Sequence, residues 1–269
     1  MPKWRNGSII VETTTAGVIY QPFPEVRLID TASTEQIKKN IAHSLSLDLP
    51  RFSTNDAVVR GDTVAIVSGG ISLNRTYSKI FAFSDVISCG SAHDHIIDLG
   101  IKSKYHINFD TSEKQAENYR NKSDAVYLLA SRCHSNIFET LTNRKLKLWH
   151  KWEYAVGKGA YKNEPVILCG ATVALAATSI AILLGYKHLH YFGFDCSGTH
   201  AYPQDEAAKE KVISVNGQKF VTTETWLTTI KQFELMQECW GNFFDVKIHG
   251  PSLMAEIQKI RNSTIGGVT

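Results

Sequence analysis

Two hydrophobic rhythms alternate along this chain. Short apolar runs at Thr63–Val67 and at residues 85–89, 105–109, 125–130, 146–149, 166–168, 190–194 and 246–249 have the length and β-branched content of buried strands. Between them, apolar positions recur every three or four residues, the spacing of one helix face. Ser33-Thr34-Glu35 opens one such helix, with Ile37, Ile41 and Leu45 on a face and Pro50 ending it. Residues 172–184 are apolar nearly all round, the mark of a helix buried on most sides, and Gly185 follows as a C-terminal cap. Thr222-Thr223-Glu224 caps a helix over 225–240, whose stripe is Trp226, Ile230, Phe233 and Met236. Residues 212–221 alternate around Asn216-Gly217 and predict a hairpin. A second hairpin is expected from residues 8–11 and 18–20, and a last helix begins at Pro251 and frays after Ile260.

Strands alternating with helices predict a Rossmann-like α/β fold with a mostly parallel central sheet flanked by helices. The expected division is an N-terminal extension and helix (1–60), the Rossmann-like domain (61–260) and a frayed tail (261–269). Residues 166–203 form its expected centre, a strand, a buried crossover helix and a parallel strand (190–194) making one right-handed unit, followed by a polar loop. Ligands in such sheets bind beyond the carboxyl ends of the strands. Five successive strands stop there at polar residues, namely Ser68, Ser91 and His93, Asp110, Ser131 and His134, and His150. Such a series along one edge describes a polar cleft. Ser68-Gly69-Gly70-Ile71-Ser72 adds a turn through which a backbone passes close to a phosphate, the next helix supplying amide donors. Thr172 opens the buried helix, and Asp195 with His200 lies in the polar loop after the 190–194 strand. His106, His188 and His190 sit inside apolar strands and read as structural.

Composition narrows the function classes. A formal charge of +3 over 269 residues, with no basic stripe interleaved with aromatics, argues against nucleic acid as a partner. The most apolar segment, 171–185, is a core helix, so no membrane partner is expected. The start of the chain carries no secretion-signal pattern. Five cysteines without CxxC spacing fit a reduced, cytoplasmic protein and no zinc site. Homo-oligomerisation is left open.

The succession SGGISL, CGSAHDHIIDLGI, INFD, YLLASRCH, KLWH, CGATVALAATSIAILLGYKHLHYFGFD and HAYP resembles the MptE-like family, the 6-hydroxymethylpterin diphosphokinase-like proteins, and within it a branch carried by tailed bacteriophages. The resemblance covers roughly residues 35–255. More distantly the chain is similar to Maf glycosyltransferases and to bacterial sialyltransferases that use a CMP-sugar. In these relatives the first turn reads G-x-G-P-S-L; here Ile71 replaces the proline, while Gly70, Ser72 and Leu73 stay in place. The resemblance implies that this turn, through Ser68, Gly69, Gly70 and Ser72, and Thr172 face the phosphates of a nucleotide; Ser91 and His93, from their place at a strand end, are expected to join the nucleotide site. It also implies that Asp110 and Asp195 are strand-end acids of the site. Sialyltransferases carry a base histidine ahead of the late helix, where this chain has Val221-Thr222-Thr223.

Two reactions follow as expectations. One is glycosyl transfer from a nucleotide-sugar to the hydroxyl of a small-molecule or glycan acceptor, with His200 as base. The other is diphosphate transfer from ATP to an alcohol such as a hydroxymethylpterin, with Mg²⁺ held by Asp110 and Asp195. A nucleotide-binding protein without turnover is the third reading. His134 and His150 are expected to line the cleft. A phage-encoded chain would work in the host cytoplasm.

Overall fold

The computed structural model describes residues 32–53, 62–120, 123–152, 156, 161, 164–167, 169–201, 210–241 and 243–266, together with four short strands before them. Those strands are β1 (Lys3–Arg5), β2 (Ser8–Ile10), β3 (Glu12–Thr14) and β4 (Gly17–Tyr20). Then follow α1 (Thr34–Ser46), β5 (Thr63–Val67), α2 (Leu73–Thr76), β6 (Val86–Cys89), α3 (Ala92–Asp98) and β7 (Tyr105–Asn108). The chain continues through β8 (Val126–Ala130), α4 (Ser135–Thr140), β9 (Lys145–Lys151), β10 (Val166–Ile167), α5 (Val173–Leu183) and β11 (His188–Phe192). It closes with β12 (Glu210–Val215), β13 (Gln218–Thr223), α6 (Glu224–Trp240), β14 (Asp245–His249) and α7 (Leu253–Gly266).

Eight strands form a parallel sheet in the order β14-β11-β5-β6-β7-β8-β9-β10, and β4 and β3 extend it beyond β10. β4 runs parallel to β10, and β3 antiparallel to β4. Alternation along the strands supplies both faces. In β5, Val64 and Ile66 join the large cluster under α5, α6 and α7, while Ala65 and Val67 join a second cluster with Leu73, Ile80 and Ile96.

The sheet corrects three expectations. The N-terminal hairpins pair β1 with β2 and β3 with β4, rather than residues 8–11 with 18–20. The pairing follows the shortest loops, which cost least to close. Next, β10 and β11 are parallel but not neighbours, because β5 to β9 all lie between them. Helix α5 therefore crosses the back of the sheet and packs on β5, β6 and β7. Every residue from Ala174 to Leu183 is buried, which explains its all-round apolar sequence. Finally, α7 continues to Gly266, past the point where fraying is expected. Leu168, Tyr202 and Pro203 lie outside the described residues.

This winding sets where a ligand can sit. From β5 the chain steps outward through β6, β7, β8 and β9, then returns by α5 to place β11 on the other side of β5. The reversal opens a crevice above the carboxyl ends of β5 and β11, the usual ligand position in an open α/β sheet.

Candidate functional site

A cavity of about 1170 Å³ occupies that crevice. On one wall it is lined by the β5 turn (Ser68, Gly69, Gly70), the β6 end (Gly90, Ser91) and the β7 end (Asn108, Phe109, Asp110). Arg132, Lys151, Thr172 and the 193–201 loop continue the lining, and Thr222, Thr223, Trp226 and Thr229 close the other side.

The β5 turn and the β11 loop are built as one unit. The Gly70 amide donates to the Gly193 carbonyl (2.8 Å), that of Ile71 to Thr199 O (3.0 Å), and that of Ala201 to Gly69 O (2.8 Å). Both oxygens of Asp195 accept from Ser72, Oδ2 from its amide (2.8 Å) and Oδ1 from its hydroxyl (2.5 Å). A β-carbon on Gly70 would stand 2.5 Å from Asp195 Cγ, and one on Gly193, whose φ is +63°, 2.3 Å from Ser68 O. Only glycine fits either position. Burial raises the Asp195 carboxyl above the ordinary range, and the two Ser72 bonds oppose that in part.

This clamp changes the expected phosphate cradle. The amides of Ser68, Gly70, Ile71, Ser72 and Leu73 are already engaged within the protein. Gly69 keeps the one N–H of the turn that meets no acceptor among the described residues. The donors lie instead at the start of α5. Thr172 is its N-cap in extended conformation, yet its side chain makes no capping bond, and Thr172 Oγ1 is buried without a partner among the described residues. By contrast Thr223, the N-cap of α6, accepts from the Trp226 amide. The first-turn amides of α5 have no partner inside the helix, and with the helix dipole they favour an anion. Val173 lies against Gly90, so this open end stands above β6. Gln232 of α6 fixes its approach, accepting the Ala171 amide at 2.8 Å.

Of the residues expected at the site, His200, Asp195, Asp110, Ser68, Gly69, Gly70, Ser91 and Thr172 all line the cavity. His200 is half-buried, bridges to Gly70 and has its ring 6.2 Å from that of Trp226. Asp110 accepts the Ser112 amide through Oδ1 (2.9 Å), and its own amide donates to Asn108 Oδ1. Ser72 is buried beneath the turn, outside the lining.

Three histidines stand off the cavity. His93 is fully buried in α3 and bonds Ser88 Oγ (2.8 Å) and Tyr127. Burial lowers its pKa to about 4. The same network runs through Ser88 and His106 to Tyr119, which accepts from Asn108 Nδ2 at 2.9 Å, so it holds the cavity wall from behind. His134 caps α4, accepting from the Asn136 amide. His150 lies inside β9, which runs one residue beyond it, between Ser131 Oγ (2.9 Å) and Glu164 Oε2 (2.6 Å), and burial lowers its pKa. It supports the strand end from the opposite face.

Two cavity residues were missed by the sequence reading. Arg132 and Lys151 are 3% and 8% exposed, Arg132 two residues past β8 and Lys151 the last residue of β9, and their charged groups lie 5.8 Å and 5.4 Å from the centroid of the Phe109 ring. The signal available was two cations each two residues beyond paired strand positions, Ala130 and Trp149.

The donor set does not fit a Mg²⁺ site built on Asp110 and Asp195. Each Asp195 oxygen already takes a bond from Ser72, and among the described residues no group of three His, Cys, Asp or Glu converges.

An open, mostly parallel sheet with a cavity at its switch point defines a Rossmann-like α/β protein. Within that class, the model of the 6-hydroxymethylpterin diphosphokinase MptE-like family matches residues 33–200, more than half of the chain, and the protein belongs to that family. Among solved structures, the MAf glycosyltransferase from Magnetospirillum magneticum AMB-1 is similar in fold, with a TM-score of 0.61 at 14% identity. That similarity covers 88% of this chain and 43% of the glycosyltransferase. No curated protein matches the sequence.

Proposed function

We propose that the protein is a nucleotide-dependent transferase which moves a glycosyl group from a nucleotide-sugar to a hydroxyl acceptor. The observation that carries this reading is the uncapped start of α5, with Thr172 and Gly69 lining the same cavity as His200. The donor's phosphate lies at that helix start, where backbone N–H groups and the dipole favour negative charge. His200 takes the proton of the acceptor hydroxyl, whose oxygen forms the bond to the anomeric carbon. The bond from that carbon to the phosphate oxygen breaks, and the phosphate leaves with the electron pair. The charge developing on it meets the α5 amides, Gly69 N–H and Thr172 Oγ–H, which are fixed before reaction and need little reorganisation. Asp195 acts as a positioning residue, holding the glycine turn through Ser72. The cavity has room for both a nucleotide-sugar and an acceptor. The partners are a nucleotide-sugar donor and a small-molecule or glycan acceptor.

Family membership favours one alternative, diphosphate transfer from ATP to an alcohol, in keeping with the diphosphokinase after which the family is named. A thermal-shift screen of CMP, UDP, GDP and ATP, and of CMP- and UDP-sugars, each with and without Mg²⁺, separates the two. Glycosyl transfer requires stabilisation by a nucleotide or nucleotide-sugar without the metal, about 2.7 kcal/mol at a hundredfold excess over Kd. Stabilisation by ATP with Mg²⁺ alone overturns it in favour of the diphosphokinase.

A further inference from the structure

One face of α6 carries a polar stripe that the proposed phosphate site does not use. Thr225, Thr228, Thr229 and Gln232 recur at i, i+3, i+4 and i+7, which places them on one side of the helix. Trp226, Ile230 and Phe233 turn another side to the core. The three threonines all line the cavity. Threonine is a poor helix former, so local stability does not account for three of them in the first two turns. Thr229 is fully buried and donates to Thr225 O at 2.8 Å, which leaves its oxygen free to accept. Thr225 and half-buried Thr228 make no side-chain hydrogen bond among the described residues.

The two ends of the stripe give it a direction. Gln232 is 2% exposed, its Oε1 accepts the Ala171 amide at 2.8 Å, and its Nε2 is buried without a partner among the described residues. Oε1 and Nε2 share one carbon, so this unpaired donor stands beside the start of α5. A buried donor is costly unless something supplies an acceptor. The other end adjoins Trp226, whose ring lies 6.2 Å from that of His200. Thr225 and Gln232 are seven residues apart on the helix, about 10 Å at 1.5 Å per residue. The stripe therefore leads from the proposed base to the proposed phosphate position, the interval that a transferred group has to occupy. We infer that this face of α6 is the subsite for the transferred group, and that the group is a single sugar ring bearing free hydroxyls. Sugar hydroxyls both donate and accept, so they match a row of threonine oxygens and a carboxamide donor, whereas an apolar group would leave the row unpaired. The inference rests on the nucleotide-sugar reading for the identity of the group.

Calorimetric titration of the full chain with UDP, UDP-glucose, UDP-N-acetylglucosamine, CMP and CMP-N-acetylneuraminate tests it. The quantity read is the Kd of a nucleotide divided by that of its sugar conjugate, which isolates what the sugar adds. At least one conjugate is expected to give a ratio above about ten. Thr228→Val keeps the side-chain shape and removes the hydroxyl. It should lower that ratio about three- to tenfold and leave the Kd of the nucleotide alone within about twofold. Thr228→Ser, which keeps the hydroxyl, should recover most of the loss, and Thr225→Val serves if Thr228→Val does not fold. If the nucleotides bind and the valine variants leave the ratio unchanged, the sugar subsite is refuted and the nucleotide reading stands. Conjugates that bind no better than their nucleotides refute it equally. If nucleotide and conjugate weaken together, α6 holds the nucleotide itself, and the subsite is again refuted. If neither nucleotide nor conjugate binds, the nucleotide reading falls and the subsite falls with it.

Discussion

Gly70 and Gly193 show how little freedom the site leaves to single residues. Gly193→Ala combines a left-handed backbone with a 2.3 Å approach to Ser68 O, and should cost about 2–5 kcal/mol in urea unfolding. Gly217→Ala, at φ +75° with open space around it, should cost only about 1 kcal/mol, so equal losses would remove the steric argument. The buried histidines give a second residue-scale prediction. His93 falls to about 4, and His106 is held well below its ordinary value by burial and then by the neighbouring His93. Both stay neutral in the fold while the unfolded chain takes up protons below pH 6.5. Stability is therefore full above pH 6.5 and falls as pH drops toward 4, by up to about 1.4 kcal/mol per pH unit for each histidine. Urea midpoints at pH 7, 6 and 5 check the slope, and imidazole resonances of His93 and His106 that titrate above pH 5 would refute it. Sequence alone marks His106, inside an apolar strand, as structural, but does not separate His93 from His200. Both lie in polar stretches after apolar runs, and only packing decides that His93 turns inward to Tyr127 while His200 lines the cavity. Arg132 and Lys151 were illegible for a related reason, since charged residues after apolar runs ordinarily mark the return to solvent.

At the scale of elements, two threonine N-caps carry opposite expectations. Thr223 caps α6, so Thr223→Val should cost about 1 kcal/mol. Thr172 caps nothing, so Thr172→Val should change stability by less than about 0.5 kcal/mol while weakening nucleotide binding. A loss of stability at Thr172 matching that at Thr223, measured in the same melts, would mean its hydroxyl serves the fold. Helix α1 has a comparable double aspect. Ile37 and Ile41 form its apolar face as the periodicity predicts, yet its buried Asn40 and Ser44 hold the carbonyls of the loop carrying Arg132. Asn40→Ala should lower stability by about 1–3 kcal/mol, read as a shift of the urea midpoint. Most strands and helices were legible because their periods are local properties of sequence. The path of α5 was not, since an all-round apolar helix reveals burial but not which strands lie beneath it. The separation of β10 from β11 follows from β11 pairing with β5, a contact between segments far apart in sequence, while β10 pairs with β9 at the other end of the run.

The whole molecule divides the cavity between two stretches of chain. Residues 33–200, the span shared with the family, supply the glycine turn, Thr172, Arg132 and Lys151. The wall facing them comes from beyond that span, from the β12–β13 hairpin and α6, with Thr222, Thr223, Trp226 and Thr229. α7 ties the two stretches together, its Met254 amide donating to Asp195 O and that of Leu253 to Ser197 Oγ. On the proposed reading, the shared half holds the nucleotide and the other half selects what receives the transferred group. Trp226 is the residue that makes this testable, because its ring lies 6.2 Å from that of His200, the proposed base. An aromatic face beside hydroxyls suits the carbon-bound hydrogens of a sugar or pterin-like ring, and such a contact contributes about 0.5–1.5 kcal/mol. Trp226→Ala should therefore raise the acceptor KM about three- to tenfold and leave the thermal shift caused by the nucleotide unchanged. Trp226→Phe, which keeps a ring and the packing against the core, should recover most of the loss. If nucleotide binding falls in step with acceptor use in both variants, the two halves are not separate in function, and α6 belongs to the nucleotide site instead.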